Sequence, residues 1–133
     1  MSSFPWQTWN SSPFNIQRRQ GKDPGTVILA LSGPLTVHDV YSTLTPTAFS
    51  KILDLEPAPG EDRPVKVILD LSLCPYMDST GLGLIVKHHV HCQRNCVKLI
   101  AAAMSPRVRE VFKLTKVDSV VPIVATVEEA EIN

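Results

Sequence analysis

The chain has no excess of charge. Its 13 basic and 13 acidic residues cancel, so the formal net charge is zero. Phosphate backbones and anionic lipid surfaces are recognised by basic stripes. None runs through this sequence, which argues against nucleic acid and membrane as partners. No apolar run approaches the ~20 residues of a membrane span. The first residues are broken up by Pro, Ser and Asn where a secretory leader would carry an apolar core. Cysteine is scarce and odd in number, three in all, which fits a reducing compartment better than a disulfide framework. The expectation is a cytoplasmic protein.

Aromatic residues are few, 6%, so their clustering is informative. Both tryptophans, Trp6 and Trp9, fall with Phe4 in residues 1–13 among Pro, Ser, Asn and Gln. That stretch reads as an N-terminal arm, its rings either covering an apolar patch of the same domain or docking on a partner. The rest, residues 14–133, has the length and apolar content of one domain with a sizeable core.

That domain is organised around one stretch. Val65–Leu71 is an apolar run of strand length rich in β-branched residues, and it reads as a buried strand. A helix-periodic run begins at Leu82. Between them, Cys74-Pro75-Tyr76-Met77-Asp78-Ser79-Thr80-Gly81 is a strand-to-helix turn with Ser79 near the N-cap. Ser and Asp both suit that place, because their oxygens accept the unpaired N–H groups of the first helical turn. A hydroxyl there also lies at the positive end of a helix dipole, at the carboxyl end of a central strand, where ligands of open α/β sheets usually meet the protein.

Upstream, Phe14–Arg18 alternates as a half-buried strand does, the Gly21–Gly25 cluster is a turn, and Thr26–Leu31 completes an antiparallel hairpin. A helical turn around His38–Leu44 and a helix from Pro46 to Leu55 follow, Thr45-Pro46 serving as cap and first residue. Glu56–Pro64 is a loop. Downstream, the helix from Thr80 runs to Arg94 with Leu82, Ile85, Val86 and His89 or Val90 as its buried stripe. Val97–Ala101 is a strand. Ser105-Pro106 opens a helix with Val108, Val111, Phe112 and Thr115 on one face. Val120–Val124 is the last strand, and Thr126-Val127-Glu128-Glu129 is a capping box in which Glu129 reaches back to the Thr126 N–H. Strands alternating with helices after a hairpin require a mainly parallel central sheet, with an N-terminal hairpin strand and right-handed crossovers. The fold class is α/β.

The chemistry of the turn admits a plain reading and a functional one. A helix cap alone accounts for Asp78 and Ser79. Two glycines in the first turn, Gly81 and Gly83, cost about 1 kcal/mol each relative to Ala; close packing on the protein's own sheet explains them, as does close approach of a partner. Hydrolysis is not supported. Met77-Asp78-Ser79-Thr80-Gly81 lacks the first Gly of a nucleophile elbow, and no His stands as base for Ser79. His88 and Cys92 have i,i+4 spacing that can ligate zinc, but Asn95 ends the helix before Cys96 and no second ligand cluster exists. A metal-free helix face is expected, and Cys74 reads as a small buried hydrophobe.

Asp70-Leu71-Ser72, followed by Tyr76-Met77-Asp78-Ser79-Thr80-Gly81-Leu82-Gly83, resembles the most characteristic segment of the STAS domain, the family of anti-sigma-factor antagonists. The resemblance extends from about Phe14 to Glu131 and includes Gly33-Pro34-Leu35. It implies a STAS-like single domain that is a binding module and not an enzyme. It also implies that Ser79, the serine directly after the aspartate, is phosphorylated by a cognate anti-sigma serine kinase that brings ATP and metal. Unphosphorylated protein would sequester that kinase through Asp78, Ser79, Thr80, Gly81 and Leu82, and phosphorylation would release it. No cofactor of its own is implied, and the free protein is expected to be a monomer. The alternative is a non-phosphorylated STAS scaffold subunit of a larger regulatory or transport assembly.

Overall fold

The computed structural model describes residues 15–36, 59–60 and 62–133. The arm over 1–13, the strand start at Phe14, the turn around His38–Leu44, the helix from Pro46 to Leu55 and residues 56–58 of the loop lie outside the described residues. Within them, the chain forms β1 (Asn15–Gln20), β2 (Thr26–Ser32), β3 (Lys66–Leu73), α1 (Ser79–Arg94), β4 (Lys98–Ala102), α2 (Pro106–Leu114), a 3₁₀ turn (Val117–Ser119), β5 (Ile123–Val124) and α3 (Val127–Ile132).

The five strands lie side by side in chain order. β1 pairs with β2 antiparallel, and every later pair is parallel. β3 is therefore the central strand, and its sequence explains why. Val67, Ile68, Leu69 and Leu71 are all buried, and successive side chains of a strand point to opposite faces. Only a position covered on both sides can take such a run.

The two faces have separate cores. On the first, Val27, Leu29, Leu31, Val67, Leu69, Leu71, Leu99 and Ala101 meet Leu82, Ile85 and Cys92 of α1 and Val108 and Phe112 of α2. Parallel neighbours taken in chain order, joined by crossovers of one hand, place successive helices on the same side. On the second face Ile28, Ile68 and Ile100 align in register across three strands and pack with Ala102 and with Ala130 of α3. Lys66 Nζ fixes α3 there by donating to the carbonyls of Ala130 and Glu131, both at 3.0 Å. The Glu131 carboxylate accepts the Lys22 N–H at 2.8 Å, tying the helix to the hairpin turn.

Several details depart from the sequence reading. The buried stripe of α1 is Gly81, Leu82, Ile85, His88 and Cys92; His88 takes the inward place expected of His89 or Val90, and Val90 is exposed. Thr115 is outside the buried face of α2, because its hydroxyl turns back to donate to the Val111 carbonyl at 2.6 Å and ends the helix. The last strand keeps only Ile123 and Val124. Val121 is drawn into the core by the preceding 3₁₀ turn, and Val120 is left exposed. Glu129 closes its box one residue early. Its N–H donates to Thr126 Oγ1 at 3.1 Å, while its carboxylate accepts from the Ala125 N–H at 3.4 Å, not from that of Thr126.

Candidate functional site

The turn after β3 is fixed by the segment that leaves β2. Gly33 N–H donates to the Leu73 carbonyl at 2.9 Å, Leu35 N–H to the Tyr76 carbonyl at 3.1 Å, and Asp78 N–H to the Leu35 carbonyl at 3.2 Å. Leu35 and Met77 form a short parallel bridge, and both side chains are buried. Gly33 lets the chain enter this pairing at φ 88°, a left-handed conformation that glycine adopts without a Cβ clash. Backbone from two strand ends thus holds the site, and the register of the turn is set by Leu35.

This register assigns the cap. Asp78 is extended (φ −103°, ψ −173°), and its Oδ1 accepts from the Gly81 N–H at 3.0 Å. The first helical bond, Leu82 N–H to the Asp78 carbonyl, is 3.0 Å. Asp78 is the N-cap and Ser79 the first helical residue; the sequence admitted either residue as the cap and began the helix one place later, at Thr80. Ser79 is exposed, and its hydroxyl has no hydrogen-bond partner among the described residues.

The residues expected at the contact surface divide by exposure. Ser79 is exposed, and Asp78 and Thr80 are half-buried. Gly81 and Leu82 are buried. Leu82 joins the core of the first face and offers no side chain to the surface. A Cβ on Gly81 would run into the Leu35 carbonyl oxygen and stand 2.7 Å from Leu35 Cγ. Gly81 is therefore explained by packing within the protein. Gly83 is different: it is exposed, and a Cβ there would meet nothing within 4 Å.

Beside the turn, Tyr76 is partly exposed, and the Arg107 guanidinium of α2 lies over its ring, 4.8 Å from the centroid. Ser105, which caps α2 by accepting the Val108 N–H at 3.2 Å, also donates its hydroxyl to the Pro75 carbonyl at 3.3 Å. The start of α2 is thereby fastened to the loop that leads to Ser79. Sequence reasoning singled out Ser105 as a cap but had no signal for Arg107, whose partner is 31 positions away in the chain.

Two thiols and one imidazole near the site are buried, and burial holds each in its neutral form. Burial pushes the Cys74 thiol up to about 11, outweighing the hydrogen bonds at Leu35 and Tyr76. Cys74 stays protonated, consistent with a small apolar group whose Sγ lies 3.5 Å from the Tyr76 carbonyl. Burial likewise raises Cys92 to about 11. His88 Nε2 lies 3.6 Å from Cys92 Sγ, and burial, helped by the nearby His91 and His89, lowers His88 to about 4. Cys96 follows the C-cap Asn95 in a left-handed conformation, φ 59°, and is exposed. Among the described residues no three His, Cys, Asp or Glu side chains converge as metal ligands would.

A family model for the STAS domain matches residues 18–130. Among solved structures, an anti-sigma factor antagonist from Mycobacterium paratuberculosis superposes with a TM-score of 0.68 at 18% identity, over 90% of this chain and 92% of that one. The Bacillus cell fate determinant SpoIIAA in its phosphorylated form gives 0.59 at 24% identity, over 89% and 97%. A sulfate transporter family protein from Wolinella succinogenes gives 0.64 at 17%, over 80% and 81%. At these identities the likeness is one of fold.

Proposed function

The chain belongs to the STAS domain family, and from that premise we propose that it is an anti-sigma-factor antagonist that sequesters a serine kinase and is switched off by phosphorylation of Ser79. The observation that carries the reading is the division of labour between two neighbours. Asp78 caps α1, while Ser79 is exposed and its hydroxyl makes no hydrogen bond among the described residues. A phosphate added there removes no hydrogen bond among the described residues. Solved structures of an anti-sigma factor antagonist in unphosphorylated and phosphorylated forms, both similar in fold to this chain, support it.

In this reading the Ser79 oxygen attacks the γ-phosphorus of ATP, ADP leaves, and the hydroxyl proton passes to a base of the kinase. The kinase brings ATP and metal; this chain supplies only the acceptor and is no enzyme. Phosphorylation adds about −1.5 to −2 charges next to Asp78. The helix dipole favours the anion by about 0.3–1 kcal/mol at an exposed site. Repulsion from Asp78 costs about 1 kcal/mol per charge at 4 Å in bulk water. These nearly cancel, so the free domain keeps its fold. A partner that covers Ser79 removes water from a dianion beside a carboxylate, and desolvating an unpaired charge costs several kcal/mol. Binding then weakens by about two orders of magnitude or more.

The test begins with mass spectrometry of protein from its own cells, where one phosphate is expected on the peptide carrying Ser79. Ser79→Asp is expected to keep a native circular dichroism spectrum and lose the kinase; Ser79→Ala is expected to bind and never be phosphorylated. Kinase binding by Ser79→Asp at wild-type strength would refute the reading.

Among the described residues no helix is long and apolar enough to cross a membrane; in this reading the protein acts in the cytoplasm and is a monomer when free. A second reading, a constitutive STAS scaffold in a transport assembly, draws on the likeness to the sulfate transporter family protein. It predicts no phosphate on Ser79 and an unchanged assembly in Ser79→Asp.

A further inference from the structure

The surface at Ser79 is too small to be a whole interface. A stable protein–protein contact covers about 800 Å² on each partner, roughly 20–30 residues a side. The turn offers the exposed Ser79 and Gly83 with the half-buried Asp78 and Thr80. A partner seated over Ser79 must also rest on what surrounds it.

On the side of α2 those surroundings have a definite chemistry. Tyr76, three residues before Ser79, keeps 37% of its surface exposed, and Leu73 at the end of β3 keeps 67%. Pro75 is exposed between them. Arg107 is already stacked on the Tyr76 ring at 4.8 Å. The hydroxyl of Ser105, two residues before that arginine, holds the Pro75 carbonyl at 3.3 Å. Loop and helix therefore present the ring and the cation as one unit, with little side-chain freedom left to lose on binding. Tyrosine and arginine are the residue types that most often dominate interface energetics. Among the described residues no carboxylate pairs with Arg107, whose contact is the Tyr76 ring, so a partner closing over it would have to bring a negative group.

We infer that Tyr76 and Arg107 form a second anchor of the interface at Ser79, receiving a carboxylate of the kinase and, beside it, an apolar side chain that packs on Tyr76 and Leu73. The inference rests on the kinase reading of Ser79.

To test it, Tyr76 is replaced by the photo-crosslinker p-benzoylphenylalanine in the cells the protein comes from. A control carries the crosslinker at Leu114, which is 75% exposed on α2. Irradiation is expected to couple an ATP-binding serine kinase at position 76, not at 114, and to lose that product when Ser79→Asp is added. The kinase so identified is purified and titrated against Arg107→Glu and Arg107→Lys, with circular dichroism as the check on folding. Arg107→Glu is expected to weaken binding by roughly tenfold or more, and Arg107→Lys by less, since it keeps the charge but not the stacking fork. If affinity capture recovers a Ser79→Asp-sensitive kinase that does not crosslink from position 76, the anchor is wrong and the reading of Ser79 stands. The same holds if folded Arg107→Glu binds like wild type. If no Ser79→Asp-sensitive kinase is recovered, both fall.

Discussion

Asp78 and Ser79 are adjacent residues of similar capping ability with unequal work. The Asp78 carboxylate accepts the Gly81 N–H at 3.0 Å, one of the N–H groups that a helix start leaves unpaired. Removing that acceptor is expected to cost about 0.5–2 kcal/mol, the usual range for a lost N-cap. Ser79, as the first helical residue, has no such bond, so Ser79→Ala should leave stability nearly unchanged. Urea unfolding of Asp78→Ala and Ser79→Ala checks both. Equal losses, or a larger loss at Ser79, would show that the cap is misassigned. The sequence made either residue a suitable cap. The choice depends on the bond from the Asp78 N–H to the Leu35 carbonyl, and its acceptor lies 43 positions back in the chain. Local propensity carries no trace of such a pairing. The switch proposed for Ser79 would benefit from this arrangement, because a modified Ser79 would leave the Asp78 cap to maintain the helix.

The glycines of α1 show how an element is fitted to its neighbours. Gly81 faces the Leu35 backbone and Gly83 faces open space, so the same substitution should act in opposite directions. Gly81→Ala must push the helix start away from Leu35 and is expected to destabilise by about 1–3 kcal/mol. Gly83→Ala should stabilise by about 1 kcal/mol, because the helix gains propensity and nothing is displaced. Paired thermal melts of the two variants decide the matter, and the same sign for both would mean that α1 does not dock as described. Among the described residues the existence and order of the strands and α-helices were legible in the sequence, because a double-sided apolar run and Ser-Pro or Thr-x-x-Glu starts are local signals. The phase of α1 was not. Its inward face includes His88 in preference to His89, since the turn at Asp78 sets the helix rotation. The shortness of β5 was hidden for a similar reason: Val121 serves the core from a 3₁₀ turn, although it has the same β-branched character as a strand residue. The pairing of Tyr76 with Arg107 joins two elements that no local pattern relates.

At the scale of the whole molecule, the buried His88 couples stability to pH. It is 4% exposed in the core of the first face, and burial, with the charges of His91 and His89 adding to it, lowers its pKa from 6.5 to about 4. Above pH about 6.5 the imidazole is neutral in both folded and unfolded chains and contributes no dependence on pH. Between about 6.5 and 4 the unfolded chain binds a proton that the folded one refuses, so stability falls as the solution is acidified. Below about 4 both states are protonated and the loss is complete. The gap between 6.5 and about 4, at about 1.4 kcal/mol per pH unit, amounts to about 3 kcal/mol. That is a large part of the 5–15 kcal/mol of an ordinary domain. Carboxylates add their own slope in acid, so the informative quantity is the difference between wild type and a variant that cannot titrate. His88→Leu keeps an apolar side chain of similar size beside Cys92 and gives up the 3.6 Å contact to its thiol. Unfolding free energies of both proteins should lie closest near pH 7 and separate toward pH 4, with wild type losing about 3 kcal/mol more than the variant. Parallel curves would mean that His88 is protonated in the fold and that the first face opens to water at this point.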